Sequence, residues 1–209
     1  MPIRSLLPFI LGALLLTLTG CAATRTTAPD VRYYTLEYES PAVAGQPSPA
    51  VIMLSRFGVA PEFSTAKIVY RDLSFGRQEY AYHQWRSTPQ ALVADYLRRD
   101  LQHSDLFLAV SRPGSSLAAT HQLEGMIEEW MEVDEEDRWL ATAGLTITLL
   151  DLRARNISDQ VLFQRTYRES EPAAKKNPGS VVEAMSRVMR TLSERIITDV
   201  HASIVAGTE

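Results

Sequence analysis

Apolar positions repeat along this chain with two different periods, and the places where one period gives way to the other mark its elements. Residues 31–38 alternate, with Tyr33, Thr35 and Glu37 on one side and Tyr34, Leu36 and Tyr38 on the other, which is the period of two that a strand requires. A loop over 40–49 follows, broken by Pro41, Gly45, Pro47 and Pro49. A second strand is expected over 51–57, ending at a break over 58–61. Aromatic and β-branched segments at 67–72 and 79–85 flank Ser74-Phe75-Gly76-Arg77 and predict a hairpin. The period then becomes helical. Thr88 followed by Pro89 fits an N-cap and first-turn proline, and Leu92, Val93, Tyr96, Leu97 and Leu101 form a stripe opposite Arg98, Arg99 and Gln102, a pair of arginines that reads as solvated.

A short apolar strand over 106–110 closes in a turn at 113–116, and three longer strands follow. Along 121–133, Leu123, Ile127, Met131 and Val133 share one parity, while Gln122, Glu124, Glu128 and Glu132 take the other, so one face is expected buried and one wet. Residues 139–149 alternate Leu145, Ile147 and Leu149 against Thr146 and Thr148, and 161–167 place Val161, Phe163 and Tyr167 together. Polar turns at 134–137 and 156–160 make these an antiparallel meander. Asn177-Pro178 and a Ser180-to-Glu183 capping box then open an amphipathic helix of about six turns carrying Val181, Met185, Val188, Leu192 and Ile196. The expected fold is a single α+β domain over 31–205, a mostly antiparallel sheet with two main helices packed on it.

The N-terminal residues follow another rule. Arg4 precedes an apolar stretch over 6–18, interrupted by Pro8, Gly12 and Thr17. That is the length of a signal-peptide core and short of the roughly 20 residues a membrane-spanning helix needs. It runs into Leu18-Thr19-Gly20-Cys21, which resembles the lipobox of bacterial lipoproteins. The resemblance implies a signal peptide over 1–20, cleavage before Cys21, a diacylglyceryl thioether on Cys21 and an acyl chain on its new amine. One chain binds a membrane marginally and more than one holds it stably. Ala22 and Ala23 stand where an aspartate retains such proteins at the inner membrane, which implies an outer-membrane anchor facing the periplasm. Residues 21–30 thus read as lipidated cysteine and flexible tether, with a reach of about 30 Å when extended.

Composition narrows the chemistry. With 45% hydrophobic and 22% charged residues in 209, the chain is of ordinary globular type. Of its 21 basic residues Arg4 lies in the leader, so the remainder stands at 20 basic against 25 acidic, a formal balance of −5. That argues against nucleic-acid binding, which needs clustered Lys and Arg. A single cysteine excludes an internal disulfide and any multi-cysteine metal site. His83, His103, His121 and His201 are scattered, no serine sits in a Gly-x-Ser-x-Gly elbow, and no glycine-rich phosphate loop is present, so neither catalytic residue nor metal site is expected. Asp134-Glu135-Glu136-Asp137 lacks the spacing and glycine of a calcium loop and reads as a solvated turn. The only bound group expected is the covalent lipid on Cys21.

Val31-Arg32-Tyr33-Tyr34-Thr35-Leu36 soon after the lipobox, Ile68-Val69-Tyr70-Arg71 before the hairpin, and Tyr82-His83-Gln84-Trp85 ahead of the proline-started helix resemble the ABC-type transport auxiliary lipoproteins, the PqiC-like group, most strongly from 31 to 107. The resemblance implies a noncatalytic outer-membrane lipoprotein. It would work with an ABC permease, an ATPase and an MCE-domain protein, docking their periplasmic conduit for lipids or hydrophobic compounds to the membrane. Tyr70, Arg71, Tyr82 and Trp85 are the partner-binding candidates, because aromatic rings and arginine are enriched at interfaces. A rival reading is a periplasmic lipid-binding carrier, in which the sheet and the Ser180 helix part to enclose an acyl chain. The transported compound and the oligomeric state, homo-oligomer included, stay open.

Overall fold

The computed structural model describes residues 29–72 and 75–207; Cys21 and the leader lie outside the described residues. The elements run β1 (Arg32–Tyr34), β2 (Ser48–Leu54), β3 (Gly58–Val59), β4 (Lys67–Arg71), β5 (Gln78–Trp85), α1 (Pro89–His103), β6 (Phe107–Ser111), β7 (His121–Asp134), β8 (Trp139–Asp151), α2 (Ile157–Gln160), β9 (Val161–Pro172) and α3 (Pro178–Ala206). They build one α+β domain organised around β7.

On one edge of β7 the meander forms as its alternation requires, with Leu123 opposite Leu149, Ile127 opposite Leu145, and Leu145 opposite Tyr167. The other edge is shared by three short strands in chain order, all parallel to β7, through Ile52–His121, Gly58–Met126 and Tyr70–Glu132. Beyond them β6 lies parallel to β2, β5 antiparallel to β4, and β1 parallel to β5. The sheet is therefore mixed, which corrects the expectation of a mostly antiparallel one. Alternating polarity sets which face of a strand is buried but is the same whichever way its neighbour runs.

The helix α3 seals one sheet face. Val181, Met185, Val188, Met189, Leu192, Ile196 and Val200 are all buried, as are Leu145, Ile147 and Leu149 of β8 and Tyr167 of β9. Each such side chain contributes about 1.5–3 kcal/mol relative to exposure, so this layer is a large part of the domain's stability. The helix is 29 residues long, about eight turns where about six were expected. Its N-cap is Asn177, whose side chain accepts the Ser180 N–H at 2.9 Å, with Pro178 in the first turn; Ser180 is inside the helix and is not its cap. In α1 the Thr88 carbonyl accepts the N–H groups of Ala91 and Leu92 at 3.0 Å, as the Thr-Pro start requires.

The first strand is shorter than its alternation suggests, because helix side chains capture the backbone that follows it. Tyr96 OH donates to the Leu36 carbonyl, and the Glu37 N–H donates to Ser186 Oγ at 3.0 Å. Those polar groups are satisfied without a strand partner. Tyr38 and Ser40 complete the attachment by donating to the carboxylate of Asp100, each at 2.7 Å. Asp100 is fully buried and also receives Arg99 through Nε at 2.9 Å and Nη2 at 2.7 Å. The Arg99 guanidinium lies 4.4 Å above the Tyr38 ring and 4.6 Å above the Tyr96 ring, so this arginine is not the purely solvated one expected.

One irregularity in β7 matters for everything below. Its ladder pairs Ile127 with Leu145 and then Glu129 with Gly144, so Glu128 is an extra residue, a bulge that reverses the strand's parity. Trp130 and Glu132 thereby join the face of Ile127, opposite Ala143 and Ala141. The expected wet position of Glu132 is overturned: its side chain is fully buried. Ahead of the bulge, Gly125 is required by close packing, since a Cβ there would fall 2.3 Å from the Phe57 ring.

Candidate functional site

Between the pairs Val69–Glu79 and Lys67–Gln84, β5 advances five residues while β4 advances two. The surplus bows outward and leaves Tyr82 47% exposed. Trp85 goes the other way. It is 2% exposed and meets Trp130 edge-on with ring centroids 5.6 Å apart, so of the four candidates this one belongs to the core. Tyr70 and Arg71, both partly exposed, remain at the surface with Tyr82. Tyr70 OH donates to Gln78 Oε1 at 2.7 Å, and Lys67 pairs with Glu79 at 2.8 Å across the two strands. Arg71 enters no ion pair among the described residues.

Under this surface a row of rings links β1, β5 and β4. Tyr70 and Tyr80 lie 4.7 Å apart, Tyr80 meets His83 edge-on at 5.4 Å, and His83 stacks on Tyr34 at 5.8 Å with its Nδ1 2.9 Å from the Tyr34 hydroxyl. Burial and the nearby charge of Arg32 lower the His83 pKa, which leaves a neutral imidazole to bond that hydroxyl. At the base, Tyr80 OH donates to Glu132 Oε1 at 2.8 Å.

Burial, followed by a hydrogen bond with Asp134, pushes the Glu132 carboxyl up to about 8. The buried oxygens Glu132 Oε2 and Asp134 Oδ1 have no other donor. A proton retained on Glu132 supplies one, so two carboxyls sit together without two negative charges. Burial and Glu132 itself raise the Tyr80 hydroxyl in turn, keeping it a donor. Asp134, expected in a solvated turn, ends β7 as half of this pair; Glu135 does face water, bonded to Arg138 at 2.7 Å.

Sequence reasoning named Tyr70, Arg71 and Tyr82 but missed Glu132 as the support beneath them. The available signal was the run Glu128-Glu129-Trp130-Met131, two charged then two apolar residues, which strict alternation cannot accommodate. The assembly holds no nucleophile beside a base. Of the candidates, Tyr70 is the one held by this assembly, through Tyr80 and Gln78. Among the described residues no three His, Cys, Asp or Glu side chains are placed to hold a metal ion, and no helix is long and apolar enough to cross a membrane.

The fold is shared with solved proteins of very different sequence. The protein XCC0632 from Xanthomonas campestris, of the DUF330 family, superposes with a TM-score of 0.76 at 14% identity, over 85% of this chain and 99% of that one. The hypothetical protein CT253 from Chlamydia trachomatis does so with a TM-score of 0.56 at 14% identity, over 76% of this chain and 99% of its own. No curated protein sequence matches. A family model for the ABC-type transport auxiliary lipoprotein component matches residues 34–197, and the chain belongs to that family.

Proposed function

We propose that this chain is the noncatalytic, lipid-anchored subunit of an ABC transport system built around an MCE-domain protein, moving lipids or hydrophobic compounds across the envelope. Residues 1–20 are removed, Cys21 carries the lipid in the inner leaflet of the outer membrane, and the domain faces the periplasm. Its task is to hold the end of the periplasmic conduit against that membrane; the permease and ATPase supply the energy.

The observation that carries this reading is the β4–β5 hairpin, which presents exposed Tyr82 and the partly exposed Tyr70 and Arg71, with Tyr70 tied to β7 through Tyr80 and Glu132. An aromatic and arginine surface of this kind is the usual core of a protein interface. The first strand starts beside it, with Arg32 level with His83. The carrier reading is less well supported, because α3 and the sheet are packed closed, with Val188, Leu192 and Ile196 fully buried between them.

Co-expression with the MCE-domain protein tests the proposal. Tyr82→Ala combined with Arg71→Glu is expected to lower co-purification at least tenfold while the melting temperature holds, and Cys21→Ser to release the folded protein from membranes. Unchanged co-purification would move the docking face elsewhere; soluble domain that copurifies with lipid would favour the carrier.

A further inference from the structure

Away from the hairpin, the end of β2, the exposed side of α1 and the segment after β6 enclose a cleft of about 310 Å³. Three arginines line it, Arg56, Arg98 and Arg112, with one carboxylate, Asp95, and with the apolar Leu54, Ala94 and Pro113. A local excess of two positive charges is notable in a chain whose net charge is −4.

The arrangement is held in place. Arg98 Nη2 and Arg112 Nη2 both donate to the same atom, Asp95 Oδ1, at 3.3 and 2.9 Å. Asp95 thus holds the two cations side by side, and Arg98 Nη1 is fixed by Gln102 Oε1 at 3.2 Å. The Nε of Arg98 is buried with no acceptor, and Arg56 enters no ion pair among the described residues. Each guanidinium carries five N–H donors, so one carboxylate leaves most of them unused. Tetrahedral oxyanions match such forked donors better than a spherical ion such as chloride.

We propose that this cleft binds a phosphate group, either free or as the phosphodiester of a lipid headgroup, with Arg56, Arg98 and Arg112 as its ligands and Asp95 as the positioning residue. The apolar part of the lining suits a headgroup whose first methylene groups accompany the phosphate. This site shares no residue with the docking surface, and its test involves no partner protein, so either can fail alone.

Titration of the full-length detergent-solubilised protein with inorganic phosphate, and separately with a short-chain phosphatidylglycerol below its micellar concentration, decides the matter by calorimetry or amide chemical shifts. Both are expected to perturb the residues around Ala94 and Pro113, to compete with each other, and to weaken as salt rises. Arg56→Gln and Arg112→Gln, on exposed side chains, should each lower affinity about tenfold. Arg155→Gln, one positive charge removed elsewhere, should leave it unchanged. Lipid binding more than tenfold tighter than phosphate assigns the site to headgroups, and equal affinities assign it to the free anion. No saturable binding of either, or equal loss in Arg155→Gln, overturns the proposal.

Discussion

Two buried carboxylates in this domain accept a tyrosine hydroxyl at nearly the same distance, and they do opposite things. Asp100 takes Tyr38 at 2.7 Å and is also met by Ser40 and by two nitrogens of Arg99. Glu132 takes Tyr80 at 2.8 Å, and its other ionisable neighbour is Asp134, another acid. Where a cation compensates the charge, the carboxylate can serve as an ionic clasp holding the segment after β1 to α1. Where none does, the group keeps its proton and the site becomes sensitive to pH. Burial and tyrosine contact alone do not fix the role; the third neighbour does.

The largest effect expected from breaking this contrast is at the clasp. Asp100→Ala strands two hydroxyls and a guanidinium and should cost about 3 kcal/mol in denaturant unfolding. Asp100→Asn, which keeps one acceptor oxygen, turns the other into a donor and loses the charge, should cost less than the alanine and clearly more than Glu132→Gln at pH 7. Equal costs for the two amide variants would erase the distinction.

The next effect is in pH. Unfolded, Glu132 releases its proton near 4.5; folded, near about 8. Between these values the native state holds a proton that the unfolded state has lost. The corresponding stability is complete below about pH 4.5 and declines as pH rises to about 8, by a few kcal/mol at most. Unfolding curves across that range should show the decline in the natural protein, and Glu132→Gln should flatten it. The smallest effect belongs to the surface. Tyr82→Ala, on an exposed ring outside both clusters, should change stability by less than about 0.5 kcal/mol.

Much of the domain was readable from polarity alone. The meander, the Thr88-Pro89 start and the α3 stripe follow from period and capping, because each is a local rule. What was missed depended on distant chain. Trp85 looks like Tyr82 in sequence, and only Trp130, brought alongside by the sheet, makes one core and the other surface. Glu132 changed sides because a single inserted residue at Glu128 reverses everything after it. Asp100, by contrast, lies seven positions after Val93 on the apolar stripe, so its burial was available to helical periodicity and was passed over because it is charged.

The long strand β7 is a template on which three earlier pieces of chain are laid in sequence. Val51 and Thr120, bonded to each other across the start of that template, are 69 positions apart. Any chain delivered from its N-terminus therefore produces β2, β3 and β4 well before the strand that completes them. The ladder groups that these strands turn toward β7 stay unpaired until 134 residues have emerged, although β4 can already pair with β5 and β2 with β6, and closing those long loops slows folding. Prematurely terminated chains would expose the edges that β7 covers and lack the pairing it supplies.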